Sequence, residues 1–368
     1  MELLINPYFL FVLSTYLIWR ASGSFDIASS YLTRNLKPGI KGPTINAAAS
    51  SLPELLISSI FLFRFQNIEG FSAGFATIVG SSIFNVAIIP AIAFLVIFFQ
   101  GRHKSFPTYK RIILQDGLFL VLAEILLLIA LYTVGISLIF ALILIGVYLL
   151  YIIYIYLKRM KGSDEESQIT ETHSFENYGW IKNILLLNLF SFFNHRGKIN
   201  SLNAMVVGAM AIGVIGWACN LLVLSCENIA NSLELDLFIV SFVVAAIASS
   251  FPDTLLSIKD AQKGKFMDAF SNAYGSNIFD ICIGIGLPVL LYLLIFDMSV
   301  LPGIANNPVL LYSAILLIGF TMIISLLYYL SNLRLWNTAV IIGLYLLFIW
   351  MVVWISDHPE EIAAFLNL

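Results

Sequence analysis

Residues 249–280 read SSFPDTLLSIKDAQKGKFMDAFSNAYGSNIFD, and this stretch sets two acids, Asp253 and Asp280, inside apolar segments long enough to cross a bilayer. A carboxylate at mid-membrane costs about 2.5 to 3.5 kcal/mol on insertion scales, so such groups persist where they pair, line a cavity or bind something. Residues 50–85, SSLPELLISSIFLFRFQNIEGFSAGFATIVGSSIFN, repeat the pattern motif by motif. Ser-Ser-Leu-Pro-Glu answers Ser-Ser-Phe-Pro-Asp, and Gly-Ser-Ser-Ile-Phe-Asn answers Gly-Ser-Asn-Ile-Phe-Asp. Two matches in the same order point to an internal repeat.

The 368 residues are 60% hydrophobic and 11% charged, a composition that excludes a soluble protein and indicates an integral membrane one. Cys219, Cys226 and Cys282 lie in or beside apolar segments without paired spacing, so they read as small core residues rather than disulfides or a metal site. The histidines (His103, His173, His195, His358) all fall in polar connections, which argues against a zinc or transition-metal pathway and leaves a hard cation. No basic patch for nucleic acid is present, and no cofactor is indicated.

With about 20 apolar residues per span, helices are expected at Leu3–Trp19 and near 40–63, 71–99, 112–131 and 135–157. A second set follows near 203–225, 236–258, 266–296, 308–330 and 336–356. The first segment lacks a basic n-region and a cleavage site and reads as a retained span. The expected fold is therefore all-α and integral to the membrane, with ten transmembrane helices in two repeats of five: residues 1–157, a linker at 158–200, and residues 201–368. Within the linker, Lys158–Glu166 is rich in charge and reads as solvated. Trp180–Phe193 is apolar but interrupted by Lys182, Asn183 and Asn188, and reads as one interfacial helix too short to cross. The linker is too short for a separate regulatory domain.

An odd number of spans per half makes the second repeat enter from the opposite side, an inverted-topology repeat. Of the 19 Lys and Arg residues, all but Arg64 fall in one alternating set of connections. Since cytoplasmic loops collect basic residues, both termini are expected outside and the central loop in the cytoplasm.

Proline within a membrane helix lacks the N–H for the carbonyl four residues earlier. Pro53 thereby frees Ala49, and Pro252 frees Ala248. Freed carbonyls are tolerated where they face protein, water or an ion, as in broken transporter helices. At helical spacing Ser50 and Ser51 share a face with Glu54, and Ser249 and Ser250 share one with Asp253. The four-residue spacings Ser81/Asn85 and Ser276/Asp280 do the same. Carboxylate, amide, hydroxyl and carbonyl oxygens are the ligand set of calcium or sodium.

For the serines and Asn85 taken singly, interhelical packing and hydrogen bonding is the better account. For Glu54, Asp253 and Asp280 together it fails, because roughly 8 to 10 kcal/mol of summed insertion cost would rival a domain's whole stability of about 5 to 15 kcal/mol. Glu124 and Glu227 lack the proline-serine setting and read as a protonated, hydrogen-bonded acid or an edge position ahead of an ion relay. Lys259, Lys263 and Lys265 read as a solvated cytoplasmic turn. A cation channel would use similar oxygens without needing paired half-sites. An intramembrane aspartyl protease would leave the first repeat purposeless, and it wants Tyr-Asp and Gly-x-Gly-Asp where this chain has Pro-Asp and Ile-Phe-Asp.

The repeat motifs resemble those of the cation/calcium antiporter superfamily, in which a Ser-x-Pro-Glu/Asp helix is followed by a Gly-Ser-x-x-x-Asn/Asp helix. Phe-Pro-Asp at 251–253 and Gly-Ser-Asn-Ile-Phe-Asp at 275–280 look most like the potassium-dependent sodium/calcium exchangers. The resemblance implies that Glu54 and Asp253 are the central calcium ligands, surrounded by Ser51, Ser250, Ser81 and Ser276 and completed by Asn85 and Asp280. It further implies sodium ligation by the backbone carbonyls of Ala47 and Ala246 with Ser50 and Ser249. Calcium, sodium and, by the finer likeness, potassium would be the transported ions; lipid and these cations are the expected partners, and a monomer suffices.

This sequence has Ala-Ser-Ser where many members have Gly-Thr-Ser or Gly-Ser, and Asp253 is one methylene shorter than the common Glu. Both differences bear on site size and ion choice. A proton-coupled calcium antiporter is the alternative, ranked lower because that branch has a different motif around its first acid, without this proline.

Overall fold

The structure is a computed structural model that describes residues 6–34, 45, 47–102, 104–133, 135–160, 180–193 and 199–366. The first half contains α1 (Pro7–Leu32), the short α2 (Ala47–Ser50), α3 (Leu52–Phe65), α4 (Ile68–Phe99), α5 (Lys110–Tyr132) and α6 (Leu138–Met160). Between the halves lie α7 (Trp180–Leu185) and α8 (Leu189–Phe193). The second half begins with α9 (Ser201–Leu233), α10 (Leu237–Val240), a π-helical segment at Ser241–Ala245, α11 (Ala246–Ser249) and α12 (Phe251–Gln262). It continues through α13 (Phe266–Phe279), a second π-helical segment at Asp280–Ile285, α14 (Gly286–Ile295), α15 (Pro308–Leu330), α16 (Leu335–Asp357) and α17 (Pro359–Leu366).

Among the described residues, 8 helical runs are long and apolar enough to cross a membrane, which makes the chain an integral, multi-pass membrane protein. They fall on eight of the expected spans. The expected first span is the N-terminal part of the longer α1, whose later turns carry Arg20, Asp26 and several serines. The second begins among residues outside those described and continues as α2 and α3, each shorter than a bilayer crossing.

The single interfacial helix expected at Trp180–Phe193 is instead two short ones. Leu187 adopts a left-handed conformation with φ 46°, and α1 holds the break open. Arg20 Nε donates to the Leu186 carbonyl at 2.6 Å and Ser24 Oγ to that of Leu187 at 3.3 Å. Much of the charged run at Lys158–Glu166 lies outside the described residues.

The largest apolar core joins α4, α5, α6 and α13 to α16. A second core joins α1, α3 and α9, and α1 and α9 pack along each other. The three cysteines are free and buried. Gly80 lets α4 approach the first π-helical segment: a Cβ there would lie 2.1 Å from the Phe242 carbonyl oxygen. Two isolated antiparallel bridges tie connections of one half to connections of the other. Phe106 and Leu333 join the α4–α5 and α15–α16 connections, while Ser137 and Val300 join the α5–α6 and α14–α15 connections.

Candidate cation site between the halves

Both proline-acid helices are interrupted at the serine two residues before the proline. Ser51 (φ −85°, ψ 4°) separates α2 from α3, and Ser250 (φ −79°, ψ −1°) separates α11 from α12. The backbone loses helical pitch there because Pro53 and Pro252 offer no N–H to close the turn. Glu54 and Asp253 consequently sit in the first turn of the helix that restarts, beside its unsatisfied N–H groups.

The site residues named from the sequence are all buried, and hydrogen bonds join most of them across the halves. Ser81 Oγ lies 3.2 Å from Glu54 Oε1 and 3.4 Å from Asp280 Oδ2, so its proton serves one or the other. Ser250 Oγ is 3.1 Å from Ser81 Oγ and 3.4 Å from Glu54 Oε1. Ser50 Oγ and Ser276 Oγ are 3.4 Å apart, and Ser51 Oγ donates to the Ser276 carbonyl at 3.5 Å.

The acceptors left over are more informative. Glu54 Oε2, both oxygens of Asp253, Asp280 Oδ1 and Asn85 Oδ1 are buried without a protein hydrogen-bond partner. A buried acceptor without a donor costs about 1 to 3 kcal/mol, more when charged, and these five all belong to the motifs that repeat, while Glu124 Oε2 is left over away from them. Among the described residues no group of three or more His, Cys, Asp or Glu side chains forms a metal cage by itself, so hydroxyls and amides would have to complete any coordination shell. Hard cations accept such mixed oxygen sets.

Two members are turned inward on their own helices. The Ala47 carbonyl accepts from the Ser51 N–H at 3.0 Å and Ser50 Oγ at 3.1 Å. The Ala246 carbonyl accepts from the Ser250 N–H and Ser249 Oγ, both at 3.1 Å. Sequence reasoning missed Asn277, which is fully buried. Its Nδ2 donates to the Ser82 carbonyl at 2.7 Å and its Oδ1 accepts from Asn85 Nδ2 at 3.1 Å. That contact fixes the Asn85 amide with its oxygen as the atom left over. The signal was present, since Asn277 stands inside the second motif opposite Ser82.

Two further prolines free carbonyls next to the site, and each is capped by the opposite half. Pro90 frees Val86, whose oxygen accepts from Tyr328 Oη at 2.8 Å. Pro288 frees Gly284, whose oxygen accepts from Ser58 Oγ at 2.7 Å. Glu124, buried, accepts from Thr321 Oγ1 at 2.9 Å, and Glu227 pairs with Arg64 at 2.8 Å. Lys259, expected in a loop, belongs to the last turn of α12, which continues one turn farther than the hydropathy pattern indicates.

Among curated proteins, the sodium/potassium/calcium exchanger 1 of Rattus norvegicus is 30% identical over 137 residues, 36% of this chain and 11% of the relative's length. The chain thus matches only a small part of that much longer protein. An uncharacterized membrane protein of Methanocaldococcus jannaschii is 26% identical over 276 residues, 74% of this chain and 77% of the relative. Among solved structures, an H+/Ca2+ exchanger, CAX, superposes with a TM-score of 0.68 at 14% identity, covering 97% of this chain and 87% of its own. The sodium-calcium exchanger NCX_Mj superposes with a TM-score of 0.56 at 19% identity over 94% of this chain and 97% of its own. These likenesses establish a common fold. The sequence profile of the sodium/calcium exchanger protein family matches twice, over residues 6–157 and 203–354, once on each set of motifs described above. A profile that covers most of the chain in two copies settles its membership: the chain belongs to the sodium/calcium exchanger protein family, within the cation/calcium antiporter superfamily.

Proposed function

We propose that the chain is a secondary antiporter that exchanges sodium for calcium, with potassium co-transport, by alternating access to one site at the membrane midplane. The observation that carries this reading is the set of partnerless buried oxygens on Glu54, Asp253, Asp280 and Asn85, drawn from both halves. In this reading Glu54 and Asp253 hold calcium, while Ser51, Ser250, Ser81 and Ser276 complete the shell and hold the carboxylates. Sodium would take Ser50, Ser249 and the Ala47 and Ala246 carbonyls after a rotation of the two serine hydroxyls that now occupy those carbonyls. Calcium and sodium then compete because they share carboxylates. Asp280 brings the site to three acids, one negative charge more than calcium neutralises, and a monovalent cation beside calcium would balance it.

The architecture we propose has ten spans, with α1 and the α2–α3 pair added to the eight apolar runs, in two inverted repeats. The two antiparallel bridges support inversion. One pairs the α4–α5 with the α15–α16 connection and the other the α5–α6 with the α14–α15 connection, the pairing expected if equivalent connections lie at opposite ends. The basic connections place both termini outside.

Labelled-calcium uptake into proteoliposomes under imposed sodium, potassium or proton gradients tests the reading. Uptake should follow an outward sodium gradient. Uptake driven by protons alone would transfer the chain to the proton-coupled alternative, and no uptake under any gradient would reject calcium antiport.

A further inference from the structure

A cavity of about 70 Å³ opens between α1 and the two proline-broken helices. Trp19, Ser22, Gly23 and Asp26 line it from α1, Ala49 and Ser50 from α2, and Pro252 and Lys259 from α12. That volume holds several waters or one partly hydrated cation. Its inner wall is part of the site: Ser50 reaches Ser276, and the Ala49 carbonyl is the one that Pro53 deprives of an N–H. Its outer wall carries two opposite charges, Asp26, half-buried, and Lys259, exposed. Ser22 Oγ, 5% exposed, has no hydrogen-bond partner.

We propose that Asp26 forms a cation subsite in this vestibule, where an entering hard cation exchanges part of its hydration shell for the Asp26 carboxylate, the Ser22 hydroxyl and the Ala49 carbonyl before it reaches the central acids. The donor set is all oxygen and carries a single negative charge, which suits transient rather than tight binding of calcium or sodium. Lys259 works against it. A mouth with Lys259 alone would repel cations, and Asp26 on the facing helix offsets that repulsion while adding an oxygen ligand.

The proposal rests on the chain being a cation exchanger, and the test separates the two ideas. In proteoliposomes, Asp26→Asn should raise the half-saturating calcium concentration by roughly threefold to tenfold on the face bearing Lys259, and not on the other. The increase should shrink as ionic strength rises, and Asp26→Glu should restore the parent value. Lys259→Gln should shift half-saturation the opposite way, which a merely structural role of either residue would not produce.

A second measurement requires no transport. At Gly23 a Cβ meets nothing within 4 Å, so Gly23→Cys places a thiol in the vestibule, while the native cysteines are buried. A cationic thiosulfonate should modify it faster than an anionic one, calcium should slow the cationic reagent, and Asp26→Asn should remove both effects. If the parent protein moved no calcium but the reagents behaved in this way, exchange would fail and the subsite would hold. If exchange proceeded while Asp26→Asn left half-saturation and reagent preference unchanged, the subsite would be overturned.

Discussion

In the first half the helix that carries Asn85 stays α-helical for 32 residues, from Ile68 to Phe99, whereas in the second half the corresponding helix changes pitch at Asp280 into the π-helical segment Asp280–Ile285. Both helices contain a proline after the polar residue, and both freed carbonyls receive a hydroxyl from the opposite half. One motif therefore has two solutions. A π-helical turn inserts an extra residue and is frequent at functional sites; here it begins on the residue that differs in charge from its counterpart. The asymmetry of the site is thus concentrated at Asp280, in charge and backbone together, while Glu54 and Asp253 stand in matching settings after matching breaks.

The most severe test of treating the halves as inverted copies is all-or-none. Single cysteines at Ser163 and Ser299 should react with a membrane-impermeant thiol reagent from opposite faces, and reaction from one face would end the inverted arrangement. Next in size, Glu54→Gln and Asp253→Asn should each reduce calcium exchange to the background of empty liposomes while the protein still purifies as a folded species. Each change removes a negative ligand and relieves an insertion cost of about 2.5 to 3.5 kcal/mol; loss of folding in place of transport would assign these acids a structural role.

Asp280→Asn, which makes the second half resemble the first, should keep calcium transport and lose dependence on potassium. Labelled rubidium moving with calcium in the parent and not in the variant supports charge balance by a monovalent cation. No rubidium movement in the parent, with transport falling in acid, would point to a protonated acid instead.

Smaller effects sharpen the packing side of the comparison. Gly80→Ala forces a Cβ against the Phe242 carbonyl of the first π-helical segment and should cost about 1 to 3 kcal/mol. At Gly117 the nearest atom to a Cβ is 3.6 Å away, so Gly117→Ala should be nearly neutral. Thermal unfolding in detergent reads both. Ser58→Ala and Tyr328→Phe each remove one carbonyl cap, and should lower stability by about 0.6 kcal/mol each, up to about 1.7; a larger loss at Ser58 would mean that the π-helical side depends more on its cap.

The sequence carried the breaks and the faces of the site because both follow from local chemistry. A proline two residues after a serine interrupts a helix whatever surrounds it, and a four-residue spacing places Ser81 with Asn85 and Ser276 with Asp280. The contacts of Ser58 and Tyr328 were not legible, since their acceptors lie 226 and 242 residues away and depend on how the halves dock. Nor were the π-helical segments, whose residues have no composition that distinguishes them from α-helix. Trp180–Phe193 misled for a related reason: despite its polar interruptions it reads as one helix, but Leu187 breaks it and Arg20 and Ser24 of α1 donate to the Leu186 and Leu187 carbonyls at the break.

The reciprocal carbonyl caps also bear on biogenesis. Val86 emerges early in translation, and its hydroxyl donor, Tyr328, is 242 residues farther along the chain. At about 5 to 20 residues per second, the ribosome needs roughly 10 to 50 seconds to supply it. Until then the hydroxyl that caps this oxygen in the folded protein has not yet been made. The same dependence runs the other way for Gly284 and Ser58, so each half completes the other's backbone, and two half-chains made separately would have to meet inside the membrane before either could settle.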